Sequence, residues 1–458
     1  EEQAGTADLL LTHPVSRRRV VLERFLALVL LTAAPALAIA LVIFLGNRIF
    51  RLGVPTKGVL GANASLWLLG IFFGALAMAL SAWRGRRGGS AAITAAVAIA
   101  MFFLNFFAPR IRGLDGLDVG TAFFWYYRSS PILQGANPGH LVLVGAIGVL
   151  AALAVLAFAR RDIGVLREHA PRRSGVARGG MLDRLLDSVY GHALWRRRVS
   201  VWWWAGGLSL LGGLTAGFWP LLRGGPKQLE GVIRLVPREV LASFGINDPA
   251  AMLTAAGFLT GRVYGSLGLI VLLVFAIATG TAEIAGDMRN GTLDLVLAAP
   301  IGRRRLVLQR WAGMATLILV VVAALTATIA VSNDRLALEI PAHGLLAANL
   351  GLALLALFFG TLAMAVGSST GSVKAARGVP TAVAIAGFLC NALGAASPKL
   401  AVLQSVSPLH WYLGDTPPLA RGLGPGVALL AAGVVAMVAA AVCAFARRDI
   451  VADRGGGA

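Results

Sequence analysis

Cysteine is almost missing from this 458-residue chain, and lysine and charge inside its apolar stretches are scarce with it. The two cysteines, Cys390 and Cys443, both fall within apolar runs. That placement excludes a disulfide framework and a thiolate metal site, and reads both as small core residues. The chain has four lysines, Lys57, Lys227, Lys374 and Lys399, and none follows a glycine. A phosphate loop of the form G-x-x-x-x-G-K-[ST] needs that Gly-Lys pair, so none is present. The six histidines (His13, His140, His169, His192, His343, His410) have no Cys, His or Glu at ligand spacing, so no metal constellation is expected. Inside the apolar runs formal charge is nearly absent: Glu283 sits near one end, and otherwise the cores are neutral. This counts against a proton- or sodium-driven transporter, which works through ionisable or carbonyl-rich sites at mid-depth. It counts equally against a membrane-embedded enzyme, which would show paired carboxylates or histidines.

What fills the chain instead is apolar: hydrophobic residues make up 57% of it and mean hydropathy is +0.78. Runs of about 20 apolar residues recur, the length a helix needs to cross a hydrocarbon core of roughly 30 Å. The fold class is therefore all-α, a polytopic helical membrane protein. Ten spans are expected, at 20–45, 63–83, 91–108, 139–159, 199–223, 262–285, 306–331, 346–367, 379–396 and 425–446. The net charge of +20 does not indicate nucleic acid, because the arginines sit in short groups at the ends of apolar runs and not on one basic face. With alternating spans, the groups at 17–24, 84–87, 160–198, 303–310, 374–377 and 447–448 share one side. That side is cytoplasmic by the positive-inside bias, and the protein is multi-pass in the plasma membrane.

An internal repeat organises the spans. "FFGALAMA" at 72–79 returns as "FFGTLAMA" at 358–365, and "VAIA" at 97–100 returns at 383–386. Pro14 pairs with Pro300, Asn105 with Asn391, "WY" at 125 with "WY" at 411 and Pro131 with Pro417, all shifted by 286. "AFARRDI" at 157–163 recurs at 444–450, shifted by 287. The chain is a tandem duplication of one membrane module, both copies oriented alike because six spans separate equivalent positions. We divide it into a first transmembrane half at 1–159, a cytoplasmic linker with an amphipathic elbow helix at 160–198, and a second half at 199–458. Since Glu1 corresponds to Asp287, the spans at 199–223 and 262–285 have no counterpart in the first copy. The expectation is that about 85 to 110 residues with two further helices precede Glu1, making twelve spans in the native chain.

The longest repeated sentence is "GTADLLLTHPVSRRR" at 5–19 and "GTLDLVLAAPIGRRR" at 291–305. Thr6 and Thr292 follow a glycine and precede Asp8 and Asp294 by two residues, which suits a helix N-terminus with a hydroxyl cap and an acid at the positive end of the dipole. Pro14 and Pro300 close each segment after about two turns. Either copy alone reads as an interfacial helix with a basic anchor. Two copies at symmetric positions favour a pair of identical docking sites, since a two-fold partner needs the same surface twice.

The stretch "AEIAGDMRNGTLDLVLAAPIGRRRLVLQRWAG" at 282–313 resembles the coupling-helix region of ABC-2 type permeases. "EEQAGTADLLLTHPVSRRRVVLERFLA" at 1–27 resembles it equally, with Ala7 and His13 as departures. The tandem layout resembles actinobacterial multidrug exporter permeases of the tetronasin type, over the whole chain. The resemblance implies that Gly5, Thr6, Asp8, Pro14 and Arg17, with Asp287, Arg289, Gly291, Thr292, Asp294, Pro300 and Arg303, lie at or beside the grip of nucleotide-binding subunits. It implies no cofactor in this chain, with ATP and Mg on two copies of a partner ATPase, so the chain itself is no enzyme. The function so implied is the permease of an ATP-driven exporter of hydrophobic compounds such as drugs, polyethers or lipids. The alternatives are an ion-coupled secondary transporter and a non-transporting assembly or sensor module.

Several other positions carry two readings. Asn105 and Asn391 either face the substrate pathway or make interhelical hydrogen bonds. Trp125 and Trp411, each followed by Tyr, either roof the pathway or form part of the interfacial aromatic belt. Gly70 with Gly74, and Gly360 with Ala356, read as close helix contacts. Met181, Leu185, Val189 and Leu194 or Trp195 share a helical face in the elbow, and Arg196, Arg197 and Arg198 are expected to meet lipid phosphates.

Overall fold

A computed structural model of the chain describes residues 16–50, 55–84, 87–110, 116–128, 139–160, 189–223, 249–289, 291, 293, 302–396, 400–414, 418–420 and 422–447. Every regular element among them is helical, as expected where backbone polar groups must be satisfied without water. The helices are α1 (Arg17–Phe50), α2 (Thr56–Arg84), α3 (Arg87–Phe107), α4 (Ala122–Tyr127), α5 (Gly139–Arg160), α6 (Val189–Arg223), α7 (Ala255–Leu259), α8 (Leu267–Glu283), α9 (Ala285–Arg289), α10 (Arg303–Leu336), α11 (Ala342–Thr370), α12 (Val373–Ala396), α13 (Val402–Ser405), α14 (Pro408–Leu413) and α15 (Gly426–Arg447). Eight stretches are long and apolar enough to cross a membrane: Arg18–Leu45, Thr56–Trp83, Gly139–Ala159, Ala255–Glu283, Arg303–Leu336, Ala342–Thr370, Val373–Ala395 and Gly426–Arg447. The other two expected spans, at 91–108 and 199–223, are helical within α3 and α6 but are not among these eight.

The chain divides into two compact units, Glu1–Arg173 and Ser174–Ala458. In the first, α2 is central and packs on α1, α3 and α5, with the short α4 against α2, α3 and α5. In the second, α11 is central and packs on α8, α10, α12 and α15, while α6 lies along α10. The repeat is visible in the helix bounds. Those of α1 and α10, of α2 and α11, and of α4 and α14 differ by 286 at both ends, and those of α5 and α15 by 287.

Local chemistry repeats too. Thr121 caps α4 by accepting the Phe124 N–H at 3.1 Å, and Ser407 caps α14 by accepting the His410 N–H at 3.3 Å. An indole ties each capped helix to the turn before it. Trp125 Nε1 donates to the Val119 carbonyl at 2.8 Å, and Trp411 Nε1 to the Ser405 carbonyl at 2.6 Å.

Glycines set the helix spacing where Cβ atoms would collide. A Cβ on Gly74 would come within 2.7 Å of Leu28, and one on Gly360 within 3.1 Å of Met314 S, the residue equivalent to Leu28. Two long helices touch backbone to backbone at Gly280 of α8, whose missing Cβ would land on the carbonyl of Gly360 in α11. Gly70 is a correction: nothing lies within 4 Å of its Cβ position, so it makes no close contact.

Other expectations change as well. The span expected at 262–285 is a broken one: α7 runs into a π-helical turn at Thr260–Tyr264, turns at Gly265 and Ser266, and restarts as α8. At that break Asn349 Nδ2 of α11 donates to the buried Tyr264 hydroxyl at 3.0 Å and to the Leu345 carbonyl at 2.8 Å. From Val189 the elbow is not a separate helix but the start of α6, which runs unbroken to Arg223; Met181 and Leu185 lie outside the described residues. Cys443 is exposed on α15 and Cys390 half-buried, so neither is fully in the core.

Candidate functional site

The region that sequence marked for docking leaves the second unit between α9 and α10, and its root is built from charge. Helix α8 ends at Glu283, and Ile284 breaks the helix with φ −122° and ψ −60° before α9 begins. Glu283 and Asp287 are four residues apart, and both are almost fully buried. Two carboxylates at that spacing repel one another unless cations fill the space between them. Three guanidinia do so. Arg310, on the first turns of α10 and itself buried, reaches Asp287 Oδ2 at 2.8 Å and also donates to the Glu283 carbonyl oxygen. Arg197 of α6 pairs with Glu283 Oε1 at 3.2 Å and donates to the Thr279 carbonyl at 3.4 Å. Arg196 meets the other oxygen of Asp287, Oδ1, at 3.0 Å, with its side chain 44% exposed.

Three guanidinia against two carboxylates leave one positive charge over. Removing a guanidinium so that a buried acid is left unpaired costs about 3 to 5 kcal/mol. The expectation that Arg196 to Arg198 meet lipid phosphates is corrected for two of the three, since Arg196 and Arg197 turn to the acids of α8 and α9. Only Arg198 stays outside, stacked 3.4 Å from the ring centre of Trp195.

Beyond α9 the chain turns at Gly291, whose N–H donates to the Met288 carbonyl at 3.1 Å. Its φ of +66° is a conformation that glycine adopts at little cost. Two residues on, Leu293 is 2% exposed in an apolar seat made by Ile284, Leu306, Val307, Met364, Ala441 and Phe445. Arg303 opens α10 and donates to the Ala446 carbonyl at 3.5 Å, where α15 ends. The segment at 294–301 thus leaves from a fixed root and returns to a fixed helix start.

The expected contact residues fall as follows. Asp287 lies within the ion cluster, Arg289 is exposed two residues before Gly291, and Arg303 is the first residue of α10. Arg17 holds the equivalent place at the start of α1. Gly5, Thr6, Asp8, Pro14, Thr292, Asp294 and Pro300 lie outside the described residues, as do the segments 6–13 and all of 292–299 except Leu293.

Of the residues expected near the pathway, Asn105 Oδ1 accepts the Thr121 hydroxyl at 3.3 Å, which ties α3 to the cap of α4. Asn391 is 1% exposed. Both tryptophans commit their indole N–H to backbone, and Trp411 also packs edge-on against Phe358 at 6.3 Å.

Sequence reasoning missed the ion cluster, although its signals were present: two acids four apart, an arginine one turn inside a span, and a preceding arginine triplet. It also missed a further repeat pair. Asn63 and Asn349 are both buried, and each donates to the carbonyl four residues back, Val59 and Leu345 respectively.

A comparison with curated proteins finds no match. The profile of the ABC-2 family transporter protein matches residues 1–114 and 220–450, which is most of the chain and includes parts of both repeats. With this match and with helices apolar enough to cross the membrane many times over, this plasma-membrane chain belongs to the ABC-2 transporter family as a permease.

Proposed function

We propose that this permease works in an ABC exporter of the tetronasin type. In this reading two copies of a separate ATPase subunit grip the cytoplasmic segments 6–13 and 292–299, and ATP with Mg is bound and hydrolysed on those subunits. Closure of the ATPase pair pushes on both segments and swings a path between the halves from inward to outward access. The cargo is hydrophobic, such as drugs, polyethers or lipids, in keeping with spans whose cores carry almost no formal charge.

The observation that supports this best is the root of the second segment. A push delivered at 294–301 meets a glycine turn, a buried leucine and a buried ion cluster on one side, and the start of α10 on the other. A loop that served only as a linker would need none of these fixtures.

The test is capture of the ATPase subunit by the tagged permease from its native membrane, with Asp294→Arg and Asp8→Arg as variants. The wild type is expected to retain the ATPase and each variant to lose it by at least five-fold. Retention of the subunit at wild-type levels by both variants refutes the docking assignment.

A further inference from the structure

The five charges at the root of the coupling segment do more than neutralise one another. We infer that Arg196, Arg197, Glu283, Asp287 and Arg310 form a clasp that makes the start of α6 turn together with the coupling segment, so that force applied there is delivered to α6 as well as to α10. This rests on the proposed coupling function and says where its motion goes.

The argument is one of connectivity. Glu283 and Asp287 are the last acids among the described residues before the segment at 294–301, and covalent continuity already links them to it. Noncovalent links then run in two directions. Arg310 carries the load to α10, through Asp287 Oδ2 at 2.8 Å and the Glu283 backbone. Arg197 and Arg196 carry it to α6, through Glu283 Oε1 at 3.2 Å and Asp287 Oδ1 at 3.0 Å. Because Asp287 uses one oxygen for each helix, it cannot swing toward one arginine without giving up the other.

Next to the clasp, α6 also lies flat on α10. Gly313 of α10 would place a Cβ 3.3 Å from Ala193, and the Tyr190 hydroxyl is 3.0 Å from Thr316 Oγ1. A buried charge cannot slide along an apolar neighbour as a leucine can, since any intermediate position leaves it unpaired. The clasp therefore behaves as a pin.

The two pins on α6 differ. Arg197 is mostly buried, whereas Arg196 is 44% exposed and shares its carboxylate with Arg310. Replacing Arg196 therefore removes one link without stranding an acid, because Asp287 keeps Arg310.

The test uses the permease purified with its ATPase subunit in nanodiscs. Spin labels are placed at Trp195→Cys and Arg289→Cys, both exposed positions, on a Cys390→Ser and Cys443→Ala background. The wild-type 195–289 distance is expected to stay the same, within its own distribution width, between the nucleotide-free and ATP-vanadate states. In Arg196→Gln, and more fully in Arg196→Gln with Arg197→Gln, a nucleotide-dependent change in that distance is expected to appear. Arg196→Lys is expected to suppress it.

A merely structural role for the cluster would lower the yield of the variants without creating that nucleotide response. Should the double variant not assemble, Arg196→Gln alone decides. A nucleotide-dependent shift in the wild type, or none in Arg196→Gln, overturns the clasp while leaving the coupling function intact. Failure of any ATPase to copurify with the wild type overturns both.

Discussion

The crossing of α8 and α11 offers the sharpest quantitative test of the packing. At Gly280 an added methyl would fall on the Gly360 carbonyl and lie 2.9 Å from its carbon and 3.2 Å from its Cα. All three atoms are backbone at the middle of a helix, so none can rotate aside, and the helices must part. Helix α8 is also tied to α12 by the bond from the Thr281 hydroxyl to the Ala376 carbonyl at 3.2 Å, so it is not free to shift without cost. Overpacking of this kind costs about 1 to 3 kcal/mol or more, set against a gain of roughly 1 kcal/mol from replacing glycine by alanine within a helix.

Backbone contact places Gly280→Ala at the upper end, a net loss of about 2 kcal/mol. At roughly 2 to 4 °C per kcal/mol for a unit of this size, Tm falls by about 4 to 8 °C. Gly217→Ala, in α6 of the same unit, has nothing within 4 Å of its new methyl and is expected to hold or raise Tm. Thermal unfolding of the purified proteins in one detergent, followed by tryptophan fluorescence or by loss of the monodisperse peak, gives the ranking. A Gly280→Ala protein that melts at or above the wild type would refute the close crossing, as would a Gly217→Ala protein that melts lower than Gly280→Ala.

Three other outcomes follow from the same reasoning. Arg310→Gln takes the buried guanidinium from Asp287 and leaves it the half-exposed Arg196, which is expected to cost up to about 3 to 5 kcal/mol, seen as a drop in Tm or in folded yield well beyond that of Arg196→Gln. Leu293→Ala empties a seat that is 98% covered and is expected to cost about 2 to 5 kcal/mol locally, read as faster amide exchange around Gly291 and Leu293 with little change in α11. Ala337 ends α10 with φ +47°, a conformation that costs an L-residue about 1 to 2 kcal/mol. Ala337→Gly is therefore expected to raise Tm by a few degrees and Ala337→Val to lower it.

Much of the architecture was legible because a membrane leaves a chain few choices. Apolar length alone located every long helix, since only a helix can bury its backbone polar groups without partners from elsewhere. The repeat was legible because a shift of 286 appears in short identical words, and the helix bounds obey it at both ends. Sequence failed on the extent of the helices. Runs such as 20–45 and 306–331 became α1 and α10 with 34 residues each, because a helix continues past the hydrocarbon through arginines whose long stems pose no obstacle to it. The break at Gly265 was also missed: Thr260 to Ser266 carries two glycines and Arg262, but its deviation is held by the contact of Tyr264 with Asn349, 85 residues away.

The ion cluster shows a different limit. Composition offered Arg196, Arg197 and Arg310 as topology markers, and by the positive-inside bias that is what arginines at span ends are. Whether such an arginine meets a lipid phosphate or a carboxylate depends on the face of the helix it occupies and on what lies opposite that face. On α6 the buried face runs through Ala193, Val201, Ala205 and Leu208, a spacing of three to four residues that includes position 197 and excludes 195, 198 and 202. Arg197 is carried inward by its phase, and Trp195, Arg198 and Trp202 are carried outward by theirs.

The acids that Arg197 and Arg196 meet lie at the end of α8 and in α9, and only their separation of four residues could have announced that they lie close together. Phase and spacing together would have given the pairing. A charge count and a hydropathy window, which are blind to phase, could not. The same reasoning explains why two helices of equal length and equivalent sequence position differ so much in burial. The apolar window of α10 is 44% buried, with α6 and α8 of its own unit against it, while that of α1, which packs chiefly on α2 and α5 among the described residues, shows none. Burial in this chain is therefore a property of neighbours, and the repeat fixes a helix's length and end chemistry without fixing what covers its sides.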